Sequence, residues 1–118
     1  MIVFDYLCGM SVAVVILNYN GRKFLADFLP IVLENTPDAT IYVADNGSKD
    51  DSLHLLATSF PQVSVISWAE NLGYAGGYNF ALGQIKADYY VLMNSDIAPR
   101  KGWLAPLLAH FEANPLVG

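Results

Sequence analysis

Four short apolar runs, Val12 to Leu17, Thr40 to Ala44, Val63 to Ser67 and Tyr89 to Met93, alternate with stretches in which apolar residues recur at helical spacing. Short runs rich in branched and aromatic residues and bounded by turn formers read as strands. Strands that are apolar almost throughout and alternate with helices predict a parallel sheet covered on both faces. The expected fold class is α/β, a three-layer, Rossmann-like α/β/α arrangement of about four strands and four helices.

The first helix is expected after Gly21, where Phe24, Leu25, Phe28, Leu29, Val32 and Leu33 form one stripe. Pro30 falls inside it and should kink or divide it. A second helix should start at Ser48, with Asp50 and Asp51 in its first turn and Leu53, Leu56 and Phe60 towards the sheet. A third is expected over Ala75 to Ile85, with Gly76 and Gly77 at its start allowing close approach of a ligand or another backbone. A fourth should run from Lys101 to Asn114, with Trp103, Leu104, Leu107, Leu108 and Phe111 on one side. The chain then stops at Pro115-Leu116-Val117-Gly118, where a fifth strand is expected, so residues 11–118 read as a domain cut short. Residues 1–10, apolar but without a basic start, read as a tail or packed extension and fit a secretory signal poorly.

Composition narrows the function. At 118 residues the chain holds one domain at most, and 54% hydrophobic against 14% charged residues is oily enough to suggest that part of its surface is covered by something else. No apolar run is long enough to span a bilayer. The six basic residues are scattered and the net charge is −5, which argues against a nucleic-acid partner. Cys8 is the only cysteine, and His54 and His110 lack partner ligands at useful spacing, so neither a disulfide nor a zinc site is expected. A reducing cytoplasm is the default location.

Three of the four strands end in polar sets: Asn18-Tyr19-Asn20-Gly21, Asp45-Asn46-Gly47-Ser48 and Asn94-Ser95-Asp96. Open parallel sheets keep their ligand crevice at the carboxyl ends of the strands. On extended backbone Asn94 and Asp96 should project together, with Met93 closing the core beneath them. Asn, Ser, Asp and Pro also build ordinary turns, so both this segment and Asp45 are open to a purely local reading. As a carboxylate, Asp45 accepts hydrogen bonds and suits an imide N–H such as N3 of uracil or thymine. Tyr19 could lie flat against such a ring. The loop from Glu70 to Asn79 adds three glycines among amides and tyrosines, a neutral lining suited to a sugar nucleotide.

Val14-Val15-Ile16-Leu17-Asn18-Tyr19-Asn20-Gly21, Val43-Ala44-Asp45-Asn46-Gly47-Ser48-Lys49-Asp50, Asn71-Leu72-Gly73-Tyr74-Ala75-Gly76-Gly77-Tyr78-Asn79 and Leu92-Met93-Asn94-Ser95-Asp96 follow one another in order. Together they resemble the family 2 glycosyltransferases. The resemblance implies a GT-A fold and inverting transfer of a sugar from a UDP- or dTDP-sugar to a saccharide or lipid-linked acceptor, in surface polysaccharide or glycolipid synthesis. It maps base contact onto Asp45 and the nucleoside pocket onto Asn18, Tyr19 and Asn20. Asn71, Gly73 and Asn79 match the family's loop, and Asn94 stands where the Asp-x-Asp motif often begins with Asp. Asp96 matches the residue that holds Mg²⁺ or Mn²⁺ on the diphosphate. With one carboxylate fewer, free metal should bind weakly until a diphosphate adds oxygen ligands.

The resemblance places the general base in the acceptor half, beyond Gly118. Asp88, Glu70 and Asp51 are carboxylates by type only, and Asp88 should lie at the opposite end of the sheet. A face left open by the absent half should make the chain self-associate. Peripheral attachment to the inner face of the membrane stays open for a longer chain. The principal alternative is a non-catalytic nucleotide-binding or assembly module. A dinucleotide-binding domain is disfavoured because strand one does not lead into Gly-x-Gly-x-x-Gly, a phosphate-binding P-loop is absent, and no acidic cluster of the response-regulator kind follows strand one.

Overall fold

The computed structural model describes residues 11–113. The expectations for residues 1–10 and for the chain after Ala113 lie outside this range. Strands β1 (Val12–Asn18), β2 (Thr40–Asn46), β3 (Ser64–Trp68) and β4 (Tyr89–Met93) alternate with helices α1 (Arg22–Asn35), α2 (Ser52–Ser59), α3 (Gly73–Leu82) and α4 (Leu104–Ala113). All pairings are parallel, in the order β3-β2-β1-β4. Residue Ile16 of β1 stands between Val43 and Met93, and Asn18 stands beside Asp45.

One face of the sheet presents Val14, Ile16, Ile41, Val43 and Met93 to Leu25, Leu29 and Val32 of α1 and to Leu55, Leu56 and Phe60 beside α2. Leu104 and Leu108 of α4 close the same side over Val12. Helix α3 covers the other face, with its Tyr78 and Ala81, and Ile85 just beyond it, on Ala13, Val15 and Ala44. Both faces of the two central strands are therefore buried, which is why those runs are apolar throughout. The edge strands differ from expectation. Among the described helices α3 alone covers its face, and it leaves Tyr90 and Leu92 of β4 42% and 49% exposed. Val65 of β3 is open on the opposite face. The β4 run is a half-buried edge, although Met93 does close the core.

Helix boundaries depart from the sequence pattern for local reasons. Helix α1 runs unbroken through Pro30, which is exposed, so the carbonyl freed by its missing N–H can turn to water. Phe24 lies off the buried stripe and is exposed. Helix α2 begins at Ser52, not Ser48, because the Ser48 side chain and N–H both bond to Asp45. The later start turns Leu53 outwards and brings Leu55 onto the sheet. Helix α3 starts earlier and stops earlier than expected, leaving Ile85 as a buried turn residue. Trp103 precedes α4 and donates its indole N–H to the Thr36 hydroxyl at 2.9 Å. Asp88 lies at the amino end of the strands, where it accepts from the Ser11 N–H at 2.9 Å.

Candidate functional site

The chain steps outward from β1 to β2 and β3 and then returns to β4 on the other side of β1. That reversal opens a crevice beyond the carboxyl ends of β1 and β4, the usual ligand position in such sheets.

A buried polar network forms its floor. Asn18 donates from Nδ2 to Asp45 Oδ1 at 3.0 Å and to Ser48 Oγ at 3.2 Å. The Ser48 hydroxyl donates to Asp45 Oδ1 at 2.7 Å, and its N–H to Oδ2 at 3.0 Å. Asp45 is 1% exposed and holds three donors, which compensates for burying a carboxylate. Asn18 Oδ1 has no conventional partner among the described residues. The amide cannot be reversed to give it one, since its oxygen would then face Asp45. A Cβ at Gly21 would stand 2.4 Å from that oxygen, so Gly21 presents only a Cα–H towards it.

Above the floor, Asn20 joins two loops. Its φ of 51° is in the left-handed region that asparagine tolerates. Its Oδ1 accepts the N–H groups of Lys49 at 2.7 Å and Asp50 at 3.3 Å, while its own N–H donates to Ser48 Oγ at 2.9 Å. Asp50 accepts the N–H groups of Arg22 and Ser52. Burial pushes the Asp50 carboxyl up, but the hydrogen bonds from Ser52 and Arg22 outweigh it and leave the group below its ordinary value.

Asn46 organises the loop after β3. Its Oδ1 accepts from Trp68 Nε1 and the Leu72 N–H, both at 2.8 Å, and its Nδ2 donates to Asn71 Oδ1 and the Gly73 carbonyl, both at 3.0 Å. Gly47 lets this loop lie close. Its φ is +76°, and a Cβ there would be 2.8 to 2.9 Å from backbone atoms of residues 69–71. Gly47→Ala combines left-handed strain with a backbone clash, and is expected to lower unfolding free energy by about 3 kcal/mol. Urea unfolding of the variant beside the unsubstituted chain checks this.

At the end of β4, the Tyr78 hydroxyl donates to the Met93 carbonyl at 3.0 Å, and burial pushes the phenol up to about 12. Tyr74 donates to Asn94 Oδ1 at 3.4 Å and meets Tyr78 edge-on, 5.0 Å between ring centroids. The strand stops at Met93, and Ser95 and Asp96 form a turn. Strand alternation therefore does not set the direction of Asp96 relative to Asn94. Asp96 is exposed, and no three His, Cys, Asp or Glu side chains gather as a metal-holding group among the described residues.

A cavity of about 360 Å³ occupies the crevice. Of the residues expected there, Tyr19, Asn20, Asn71 and Gly73 line it. Asn18 and Asp45 lie buried beneath, and Asn94 faces a neighbouring groove across Tyr74. Asn79 is exposed within α3 and is not brought to the cavity. Asn46 and Ser95, from the polar strand ends, also line it, as does Phe24, whose spacing had placed it on the apolar stripe of α1. The position of Asn46 between Asp45 and Gly47 was the available signal. Among the described residues no charged side chain lines this cavity.

These features define an α/β protein of the open parallel-sheet class with a neutral, aromatic- and amide-lined crevice at its switch point. The chain matches Glycosyl transferase family 2 over residues 13–118, and it belongs to that family. It is 25% identical over 107 residues to an uncharacterized glycosyltransferase of Haemophilus influenzae, covering 87% of this chain and 33% of that protein. The mannosyltransferase PcManGT of Pyrobaculum calidifontis, solved with GDP-Man and Mn²⁺, superposes with a TM-score of 0.76 at 23% identity, covering 92% of this chain and 34% of that one. S. aureus TarS 1-349, solved with UDP, gives a TM-score of 0.75 at 21% identity, covering 90% and 33%. The fold is of the GT-A type. The chain spans about a third of the length of these relatives.

Proposed function

We propose that residues 11–118 are the donor-binding half of an inverting, metal-dependent glycosyltransferase. Its donor is a UDP- or dTDP-sugar and its acceptor a hydroxyl on a saccharide or lipid-linked molecule, in surface polysaccharide or glycolipid assembly on the cytoplasmic side. The observation that carries this reading is the meeting of the polar ends of β1, β2 and β4 around one neutral crevice, with Ser95, the chain neighbour of Asp96, on its lining, in a family 2 chain. Similarity to proteins solved with GDP-Man and Mn²⁺ and with UDP supports it.

Asp96 supplies one carboxylate and the adjoining Ser95 a hydroxyl oxygen, donors whose chemistry suits Mg²⁺ or Mn²⁺ only if water and a diphosphate fill its remaining positions. Bound there, the ion would offset the charge that builds on the diphosphate as the anomeric C–O bond breaks. Tyr19 offers a ring face to the base. The Asn71 amide nitrogen offers a neutral donor, while the Asn71 oxygen and the Gly73 backbone hold the loop to Asn46 and to each other. The floor network keeps the two loops at their spacing and holds Asp45 away from solvent. Span of only a third of the relatives supports an acceptor half, with the base, outside these 118 residues.

Calorimetric titration of the chain with UDP and dTDP, with and without Mn²⁺, tests the reading. Binding that strengthens about tenfold or more with Mn²⁺ is expected. Metal-independent binding would favour the non-catalytic nucleotide-binding module instead. The self-association expected of the exposed Tyr90 and Leu92 row remains part of this proposal, and light scattering over a concentration series reads it directly.

A further inference from the structure

Helix α1 starts without a cap of its own. Gly21 stands at its N-cap and offers no side chain, and a Cβ there would lie 2.4 Å from the buried Asn18 Oδ1, so a capping serine, threonine or aspartate does not fit. The first N–H groups of a helix still need acceptors. One comes from the loop after β2, where Asp50 Oδ2 accepts the Arg22 N–H at 3.2 Å across 28 residues of chain. The other oxygen, Oδ1, accepts the Ser52 N–H at 3.0 Å and the Ser52 hydroxyl at the start of α2. A single carboxylate thus sits at the amino ends of two helices, where their dipoles favour negative charge.

A role confined to α2 would need only the Ser52 bonds. The bond to Arg22 instead joins three others between the same two loops: Asn20 donates its N–H to Ser48 Oγ at 2.9 Å and accepts the N–H groups of Lys49 at 2.7 Å and Asp50 at 3.3 Å. Tyr19, Asn20 and Gly21, the residues between these ties, line the crevice, and Asp50 does not. The Arg22–Asp51 ion pair also spans the loops at 3.5 Å, but both side chains are open to water and such a pair contributes little. The Asp50 carboxylate is therefore the group that fastens the crevice loop where it enters α1.

We propose that Asp50 is a positioning residue for the nucleoside end of the crevice: without touching the ligand, it fixes the loop from Tyr19 to Arg22 by capping α1 from the neighbouring loop. The proposal rests on the donor-site reading above, which gives Tyr19 and Asn20 to the nucleoside. Without the carboxylate the start of α1 frays, and the ligand itself has to order Tyr19 and Asn20, which weakens binding. The β4 side of the crevice is left as it was.

Calorimetry with UDP, with and without Mn²⁺, tests it beside thermal unfolding of the same variants. In Asp50→Ala the metal-free affinity for UDP falls about tenfold, while the gain brought by Mn²⁺ stays within about twofold of that in the unsubstituted chain. Asp50→Asn keeps most of the affinity, because its amide oxygen can still accept the Arg22 N–H while its NH₂ donates to Ser52 Oγ. Ser52→Ala separates positioning from stability. Ser52 is buried and its hydroxyl bonds to Asp50 on the α2 side, so the unfolding midpoint falls, yet the Arg22 bond stays and UDP binds as before. Full affinity in Asp50→Ala, an equal loss in Ser52→Ala, no rescue by Asp50→Asn, or a Mn²⁺ gain that disappears with the carboxylate would each overturn the proposal. Amide exchange gives a second reading in the unsubstituted chain. UDP should slow exchange of the Arg22 N–H about threefold or more, since what the tie adds to binding, binding adds to the tie, and unchanged exchange would also overturn it. If the unsubstituted chain binds no UDP under either condition, the donor-site reading falls and this inference with it, whereas binding without these effects removes the inference alone.

Discussion

Asp45→Ala is expected to lower the unfolding free energy by about 3 kcal/mol, an effect close to the largest that one side chain produces in a domain of this size. The carboxylate is 1% exposed and gathers Asn18 Nδ2, the Ser48 hydroxyl and the Ser48 N–H. Its removal leaves a buried amide donor with one remaining partner, in Ser48, and frees the turn that follows β2. Each kcal/mol shifts the midpoint of a domain this small by about 4–8 °C, so the fall should exceed about 10 °C. Asp45→Asn should be milder, near 1–2 kcal/mol, since its amide oxygen can replace Oδ1 while its NH₂ opposes the Ser48 N–H. The same pair of variants separates the two roles open to Asp45 from sequence. A large loss of stability identifies an anchor beneath the site. Unchanged unfolding together with lost UDP binding would instead identify a ligand to the base and would count against the anchoring role.

Asp96→Ala should behave in the opposite way. The residue is exposed and outside any cluster of metal-holding side chains among the described residues, so stability should change by less than about 0.5 kcal/mol. Binding is where the effect is expected. The gain in UDP affinity that Mn²⁺ brings, about tenfold or more, should be lost, while metal-free affinity stays the same. With one carboxylate at this position, Mn²⁺ alone should bind weakly to the unsubstituted chain, and the ion and the nucleotide should strengthen each other's binding reciprocally. Titrating Mn²⁺ at fixed UDP and UDP at fixed Mn²⁺ checks that reciprocity. An Asp96→Ala chain that retains the full Mn²⁺ effect would remove Asp96 from the metal site.

Much of the fold was legible because central strands have one physical solution. A parallel strand covered on both faces must be apolar throughout, and Val12 to Leu17 announces itself as such. Edge strands carry no equally clear signal. The run from Tyr89 to Met93 is as apolar as β1, yet alternate residues are open because none of the described helices lies over them. The boundary of α2 was misread for another reason. Ser48 followed by two aspartates satisfies every local rule for a helix start, but its hydroxyl receives Asn18 Nδ2 and the Asn20 N–H from about 30 residues away and is itself donated to Asp45. Local propensity is weak beside a buried carboxylate in need of donors.

By itself the sequence determined the α/β alternation, the polar strand ends and the family, since each depends on residue type at a fixed spacing. Tertiary structure decided which polar side chains are available. It turned Asn18 and Asp45 inward as a hydrogen-bonded floor, spent the Asn20 oxygen on a neighbouring loop and left Asn79 outside on α3. It also brought Phe24 and Asn46 to the cavity. A hydrogen-bonding group or a ring has the same identity in the sequence whichever way it faces. Only the elements that fold against it determine whether its donors, acceptors and surface are already used or remain for a ligand.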